Sequence, residues 1–169
     1  MWYVVQVRTG AEECMVKQCR ERIPGEIMEA CFIPYYEEQR HIKHEWITRR
    51  CVLFPGYIFV VTKQVERLFA ELKKIEGLTK MVQIGNEIVP LKNEDINFMQ
   101  EFCGKEMVVG MSRGIIESSK LTVLTGPLRG KEIYIVKVDR HKRIAWLEIP
   151  IFGRIQRIRA GLEIPYKTV

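Results

Sequence analysis

Several things are scarce in this sequence of 169 residues, and each scarcity excludes a class of protein. No apolar run approaches the roughly 18–20 residues of a membrane span, so a transmembrane protein is not expected. The five cysteines, Cys14, Cys19, Cys31, Cys51 and Cys103, are odd in number and none forms a Cys-x-x-Cys pair. Reduced thiols in a cytosolic protein fit that usage better than a disulfide framework. The opening Met1-Trp2-Tyr3-Val4-Val5 enters a strand-like pattern at once. It lacks the basic leader and small-residue cleavage site of a signal peptide, and a cytoplasmic location is expected. There is no Gly-x-Ser-x-Gly, no Walker loop and no His-Glu-x-x-His, so an enzyme is not expected. His41, His44 and Cys51 stand as H-x2-H-x6-C, but no fourth ligand follows at zinc-finger spacing. A solvated polar face is the expectation there, with no metal and no cofactor.

What is present is globular. Hydrophobic residues make up 47% and charged residues 28%, a composition that argues against a disordered tail. The length suits one ordinary domain or two small ones. The formal net charge of +6 is unevenly placed: residues 120–169 hold 11 basic and 4 acidic side chains, a net of +7, and the rest nets −1. Such a split points to an anionic partner for the basic part.

Residues 2–8 are aromatic and β-branched and read as a buried strand. Thr9-Gly10-Ala11-Glu12 fits a capping box, and Ala11, Met15, Cys19 and Ile23 follow as one apolar helical stripe stopped by Pro24-Gly25. Residues 29–33 suggest a short strand, and the polar stretch from Pro34 to Arg50 a β-hairpin or a mobile loop. The apolar segment 51–61 is broken by Pro55-Gly56 into two extended pieces. Val65, Leu68, Phe69, Leu72 and Ile75 mark a second helix closed by Gly77, and residues 79–84 suggest another strand. Asn93 reads as the cap of a third helix bearing Ile96, Met99 and Phe102 and ending at Gly104. The order β-α-β-β-α-β-α is that of a ferredoxin-like α/β sandwich, so the fold class is α+β. Three glycines within 104–114 suggest a linker over 104–112, between a first domain of 1–103 and a second of 113–169. In the second, Leu121–Thr125, Ile133–Val138, Ile144–Ile151, Arg154–Arg159 and Leu162–Tyr166 predict a small five-stranded β-barrel.

Three motifs then stand in order: WYVVQVRTG, FPGYIFV and VLTGPLRGKEIYIVKVDRHKR…IFGR. Together, over nearly the whole chain, they resemble the NusG family of transcription elongation factors. The resemblance implies an amino-terminal NGN domain, a carboxy-terminal SH3-like KOW barrel and a monomer. It also implies NGN contact with the clamp helices of the RNA polymerase large subunit. KOW domains of the family recruit Rho, a ribosomal protein or RNA. The basic barrel, with Gly-Pro-Leu-Arg-Gly and Asp-Arg-His-Lys-Arg, is similar to LoaP-like antiterminators, whose KOW domains are associated with a hairpin in nascent RNA. Ile151-Phe152-Gly153-Arg154 resembles the general elongation factors instead.

Two surfaces are expected to carry function. Tyr57 and Phe59 alternate onto one strand face, which a sheet covered on its other side would leave as an exposed apolar patch. The resemblance assigns Phe54, Pro55, Tyr57, Phe59 and Met81 to the polymerase contact. Arg140, His141, Lys142 and Arg143 crowd one turn, and Arg157 and Arg159 project from one side of a strand. With Arg129, Lys131 and Arg154 they form the candidate RNA-binding set, since guanidinium groups pair with phosphates and stack on unpaired bases. Gly126, Pro127 and Gly130 are expected to serve the KOW turn structurally.

Overall fold

The computed structural model describes the backbone of residues 1–76, 78–81, 83–84, 87–88 and 90–168, and the side chains of 1–76 and 90–168. In chain order the elements begin with β1 (Trp2–Val7), α1 (Glu12–Arg22), β2 (Ala30–Phe32), β3 (Tyr35–Ile42), β4 (Glu45–Val52) and β5 (Tyr57–Val61). Next come α2 (Val65–Leu72), β6 (Leu78–Met81), β7 (Gln83–Ile84), β8 (Glu87–Ile88), α3 (Asn93–Cys103) and β9 (Val108–Val109). The rest is β10 (Ser112–Glu117), β11 (Lys120–Thr125), a 3-10 turn over Glu132–Tyr134, β12 (Ile135–Asp139), β13 (Ile144–Ile151) and β14 (Arg154–Glu163). Among the described residues no helix is long and apolar enough to cross a membrane. Two compact units emerge: Met1–Ile33 with Phe54–Ile96, and Pro34–Leu53 with Asn97–Val169.

The first unit carries an antiparallel sheet of order β2-β5-β1-β6, the split βαβ arrangement that the element order predicts. Cys19 of α1 hydrogen-bonds Cys31 of β2, so α1 covers the sheet face that holds Cys31 and, by pairing and alternation, Val60 and Ile58. Met15, Val16, Cys19, Ile58, Val60, Leu68 and Leu72 are buried. Burial of that order, about 1.5–3 kcal/mol per large side chain, is what holds such a layer together.

The start of α1 departs from the expected capping box. Its N-cap is Ala11 and no side chain caps the helix, so Thr9 stands too far upstream. The acidic half of the motif survives, because the Glu12 carboxylate accepts N–H bonds from Gly10 at 2.8 Å and from Gly56 at 2.7 Å. Glu12 is thereby buried and ties the β1–α1 turn to the Pro55-Gly56 turn. At the second position glycine is required: Gly56 has φ +86°, and a Cβ there would meet the Thr9 hydroxyl at 3.2 Å. At α3 the first turn opens with an Ile96 N–H bond to the Lys92 carbonyl, so Asn93 lies inside the helix rather than at its cap. Gly77, expected to close α2, lies outside the described residues.

The second unit holds a five-stranded sheet of order β11-β10-β14-β13-β12 and a three-stranded one of order β4-β3-β9. The segment read as polar hairpin or loop is a long hairpin, β3–β4, paired from Tyr35↔Val52 to Ile42↔Glu45. Its turn residues Lys43 and His44 both have positive φ, 49° and 69°, which a two-residue primed turn demands and which non-glycine residues adopt at a cost. Residues 104–112, read as a linker, include β9, which pairs in parallel with β3. The curled sheet also begins earlier than expected, at β10, while of the last expected strand, Leu162–Tyr166, only Leu162 and Glu163 are extended in a ladder, as the end of β14. Gly114 lies inside β10 because a Cβ there would stand 2.7 Å from the Thr122 carbonyl. A glycine that reads as linker in sequence is therefore a point of close strand approach. Strand β12 starts at Ile135, two residues late, because Glu132–Tyr134 take a 3-10 turn.

Candidate partner and nucleic-acid surfaces

On β5 the structure separates residues that alternation alone places together. Phe59 is fully buried, and its ring lies 5.7 Å from Phe32 and 5.9 Å from Phe54, itself buried. The exposed patch expected at Phe59 is therefore absent at that side chain. The cause is side-chain cover: Phe32 from the neighbouring β2 and Phe54 from the turn before β5 pack their rings against it. Tyr57, at the end of the paired region opposite Gln6, is half-buried, and Pro55 is exposed. Trp2 and Phe32, which sequence reasoning did not single out, extend the aromatic row, with rings 5.2 Å apart and edge to face. Trp2 shares the Phe59 face because it stands two residues before Val4, the residue paired with Phe59. That signal resides in strand pairing and is invisible in a linear pattern. Met81 pairs by its backbone with Val5, and its side chain lies outside the described residues.

In the second unit the nine basic candidates separate into groups. Arg157 and Arg159 do share one exposed face of β14, where they stand opposite Glu148 and Trp146. Arg157 pairs with Glu148 at 2.9 Å, a solvent-exposed bridge that holds the side chain only weakly. Across β13, Lys137 lies opposite Trp146 with its ammonium 5.0 Å from the ring centre. Lys137, Trp146 and Arg159 thus form a row of cation, ring and cation over three strands. Sequence reasoning counted Lys137 as charge and passed over Trp146, since only the register brings them side by side. Arg140, His141 and Lys142 are exposed on the β12–β13 turn, where the Lys142 N–H donates to Asp139 at 3.0 Å. That bond and the neighbouring cations hold the Asp139 carboxyl below its ordinary pKa. Arg129 and Arg154 are exposed as well.

Two members of the set are engaged within the unit. Lys131 bridges Glu101 at 2.9 Å, and its side chain is only 12% exposed. Arg143, with φ 53°, donates to Gln39 at 2.7 Å, approaches Glu163 at 3.4 Å and stacks 3.7 Å from the centre of the Trp46 ring. It fastens the β12–β13 turn to the β3–β4 hairpin.

That hairpin is stiffened near its base by a buried acid. Glu38 accepts the Tyr36 hydroxyl at 3.1 Å, Arg40 at 3.1 Å and Arg49, its cross-strand neighbour, at 2.6 Å. Burial pushes the Glu38 carboxyl up, but the hydrogen bonds and charge of Arg49, with Tyr36 and Arg40, outweigh it and leave the pKa below the ordinary glutamate value. The same surroundings raise the Tyr36 hydroxyl, first by burial and then by the Glu38 charge. Cys51 pairs with Tyr36 at the base, whereas His41 and His44 lie at the tip with rings 6.4 Å apart. Among the described residues no group of three or more His, Cys, Asp and Glu side chains could hold a metal ion.

Of the turn glycines, Gly126 has φ +97°, and a Cβ there would stand 2.5 Å from the Ser112 hydroxyl. That hydroxyl accepts the Leu128 N–H at 3.0 Å, so the turn closes on β10. Gly130 has φ +79° with open space around it, and Pro127 is half-buried between them.

A profile of the family described as "Transcription termination factor nusG" matches residues 1–100. Among solved structures, one titled "Domain interaction in Thermotoga maritima NusG" is similar to the chain with a TM-score of 0.61 and 19% sequence identity. The likeness covers 95% of this chain and 92% of the Thermotoga maritima chain. At that identity it is a likeness of fold: an α/β sandwich of the NGN kind and a curled sheet of the KOW kind.

Proposed function

The chain belongs to the NusG family of transcription factors, and on that premise we propose that it is a LoaP-like elongation and antitermination factor. The first unit binds RNA polymerase through the rim of its aromatic row, with Pro55 and Tyr57 in contact and Phe54 and Phe59 supporting them from beneath. Apolar contact with a helical partner is the mode this face suits. The second unit holds nascent RNA, and the two contacts together raise the factor's effective concentration at chosen transcription complexes. The observation that carries the RNA half is the row Lys137–Trp146–Arg159, two exposed cations beside a half-buried ring, with Arg140 and Lys142 nearby, in a unit of 17 basic and 10 acidic residues. Rings flanked by cations are what unpaired bases and their phosphates require.

A second reading, a general elongation factor linking polymerase to Rho or the ribosome, is favoured by the resemblance of Ile151-Phe152-Gly153-Arg154 to the general elongation factors. Copurification from cells on a tagged full chain separates these readings. Core RNA polymerase together with RNA is the expected yield, and Tyr57→Ala should lose the polymerase. Ribosomes without polymerase would overturn the proposal, and polymerase with Rho or ribosomes but no direct RNA would favour the second reading.

A further inference from the structure

The tip of the β3–β4 hairpin has no place in the site so far described, yet it is unusual in three ways. It presents three aromatic rings to solvent: His41 lies 5.1 Å from Trp46 and 6.4 Å from His44. Every residue from Arg40 to Arg50 is exposed, including Ile42 at 46%, Trp46 at 38% and Ile47 at 46%. Its turn places Lys43 and His44 in the left-handed region, although glycine or asparagine would take that conformation more cheaply. The Arg143 guanidinium takes part of the Trp46 ring, and the remaining 38% exposure is left open to a ligand.

The charge of the neighbouring surface indicates an occupant. Arg143 reaches from the β12–β13 turn to Gln39 and Trp46, so the ring cluster and the exposed Arg140, His141 and Lys142 belong to one continuous surface. Lys43 adds a further cation at the tip and Arg50 another along β4, while the hairpin's buried acid, Glu38, is neutralised by Arg49 and Arg40. Arg143 in this arrangement is a positioning residue, with its guanidinium held by Gln39, Glu163 and the indole.

We propose that the β3–β4 hairpin tip and the β12–β13 turn together bind an unpaired stretch of RNA, with bases stacking on Trp46 and His41 and phosphates meeting Lys43, Arg140 and Lys142. This rests on the reading of the second unit as an RNA platform and extends it to a part of the chain that lies far away in sequence. Double-stranded RNA has its bases already stacked and offers nothing to the rings, so the tip discriminates single strands.

The test uses the full chain and fluorescence anisotropy with a labelled single-stranded RNA of mixed sequence, and separately with its annealed duplex. Trp46→Leu should weaken single-strand binding about ten-fold and leave duplex binding unchanged, while Trp46→Phe should retain most of the affinity. Lys43→Gln should weaken both. Arg140→Gln with Lys142→Gln should weaken both and serves as the control for the parent reading. If that double variant weakens binding while Trp46→Leu and Lys43→Gln do not, the hairpin proposal is overturned and the RNA platform stands. If no variant weakens binding, the platform itself falls. Equal losses for single strand and duplex in Trp46→Leu would overturn the base-stacking role. Thermal melting of each variant separates loss of the RNA contact from loss of the Arg143–Trp46 packing: an unchanged midpoint with weakened binding supports the proposal, and weakened binding only in step with a lowered midpoint overturns it.

Discussion

Phe59 and Tyr57 stand two positions apart on β5 and share a face, but they do different work. Phe59 is fully buried between Phe32 and Phe54, so its truncation opens a cavity. Phe59→Ala should cost about 3–5 kcal/mol, read as a lower denaturant midpoint, whereas Tyr57→Ala should cost less than half of that. A midpoint unmoved by Phe59→Ala would contradict the packing described. Alternation along the strand made the shared face legible, but burial depends on what the strands flanking β5 bring to that face, and the residues paired with β5 lie 27–59 positions away in sequence. Arg143 teaches the same lesson with opposite sign. As a letter it is one more positive charge in a basic turn. In the folded chain its positive φ and its contacts with Gln39, Glu163 and Trp46 make it a fastener.

At the scale of elements, the β3–β4 hairpin was the hardest to read because no apolar face runs along it. Its order comes from cross-strand polar pairs around Glu38, and nothing in a polar stretch holding Glu37, Glu38 and Glu45 marks which acid will be buried. Folding lowers the Glu38 pKa, so the folded state holds that proton less tightly than the unfolded chain does. The stabilisation is therefore complete above the unfolded glutamate value, near 4.3, and fades as the pH falls through the lower folded value. Glu38→Gln should lower stability by about 1–3 kcal/mol at neutral pH, with the gap from the unsubstituted protein closing below about pH 4. Melting curves across pH check this, and a gap independent of pH would show that charge is not the cause. The sandwich elements, by contrast, were legible, since β1 is an apolar run apart from Gln6, and α1 and α2 each carry an apolar stripe at helical spacing. The start of the curled sheet was not, because Gly114 serves a close strand approach that the eye reads as flexibility.

The whole molecule keeps the charge asymmetry that the sequence displays, and relocates its border. The unit formed by Pro34–Leu53 and Asn97–Val169 carries a net of +7, and the other unit −1. The hairpin and the segment 97–119 add 6 basic and 6 acidic residues to the last third, so they change no net charge. They add the rings of the hairpin to a surface that already carries Trp146 among its cations. A near-neutral unit with an aromatic row and a basic unit with rings and cations are consistent with one protein partner and one polyanion. The sharpest measurement is the salt dependence of RNA binding by the full chain, with and without Arg140→Gln and Lys142→Gln. Each lost phosphate contact should lower the slope of log affinity against log salt by about 0.7–0.9, so the double variant should bind more weakly and with a visibly flatter slope. An unchanged slope would mean that these cations never meet the phosphates, and would contradict the account of this unit as an RNA platform.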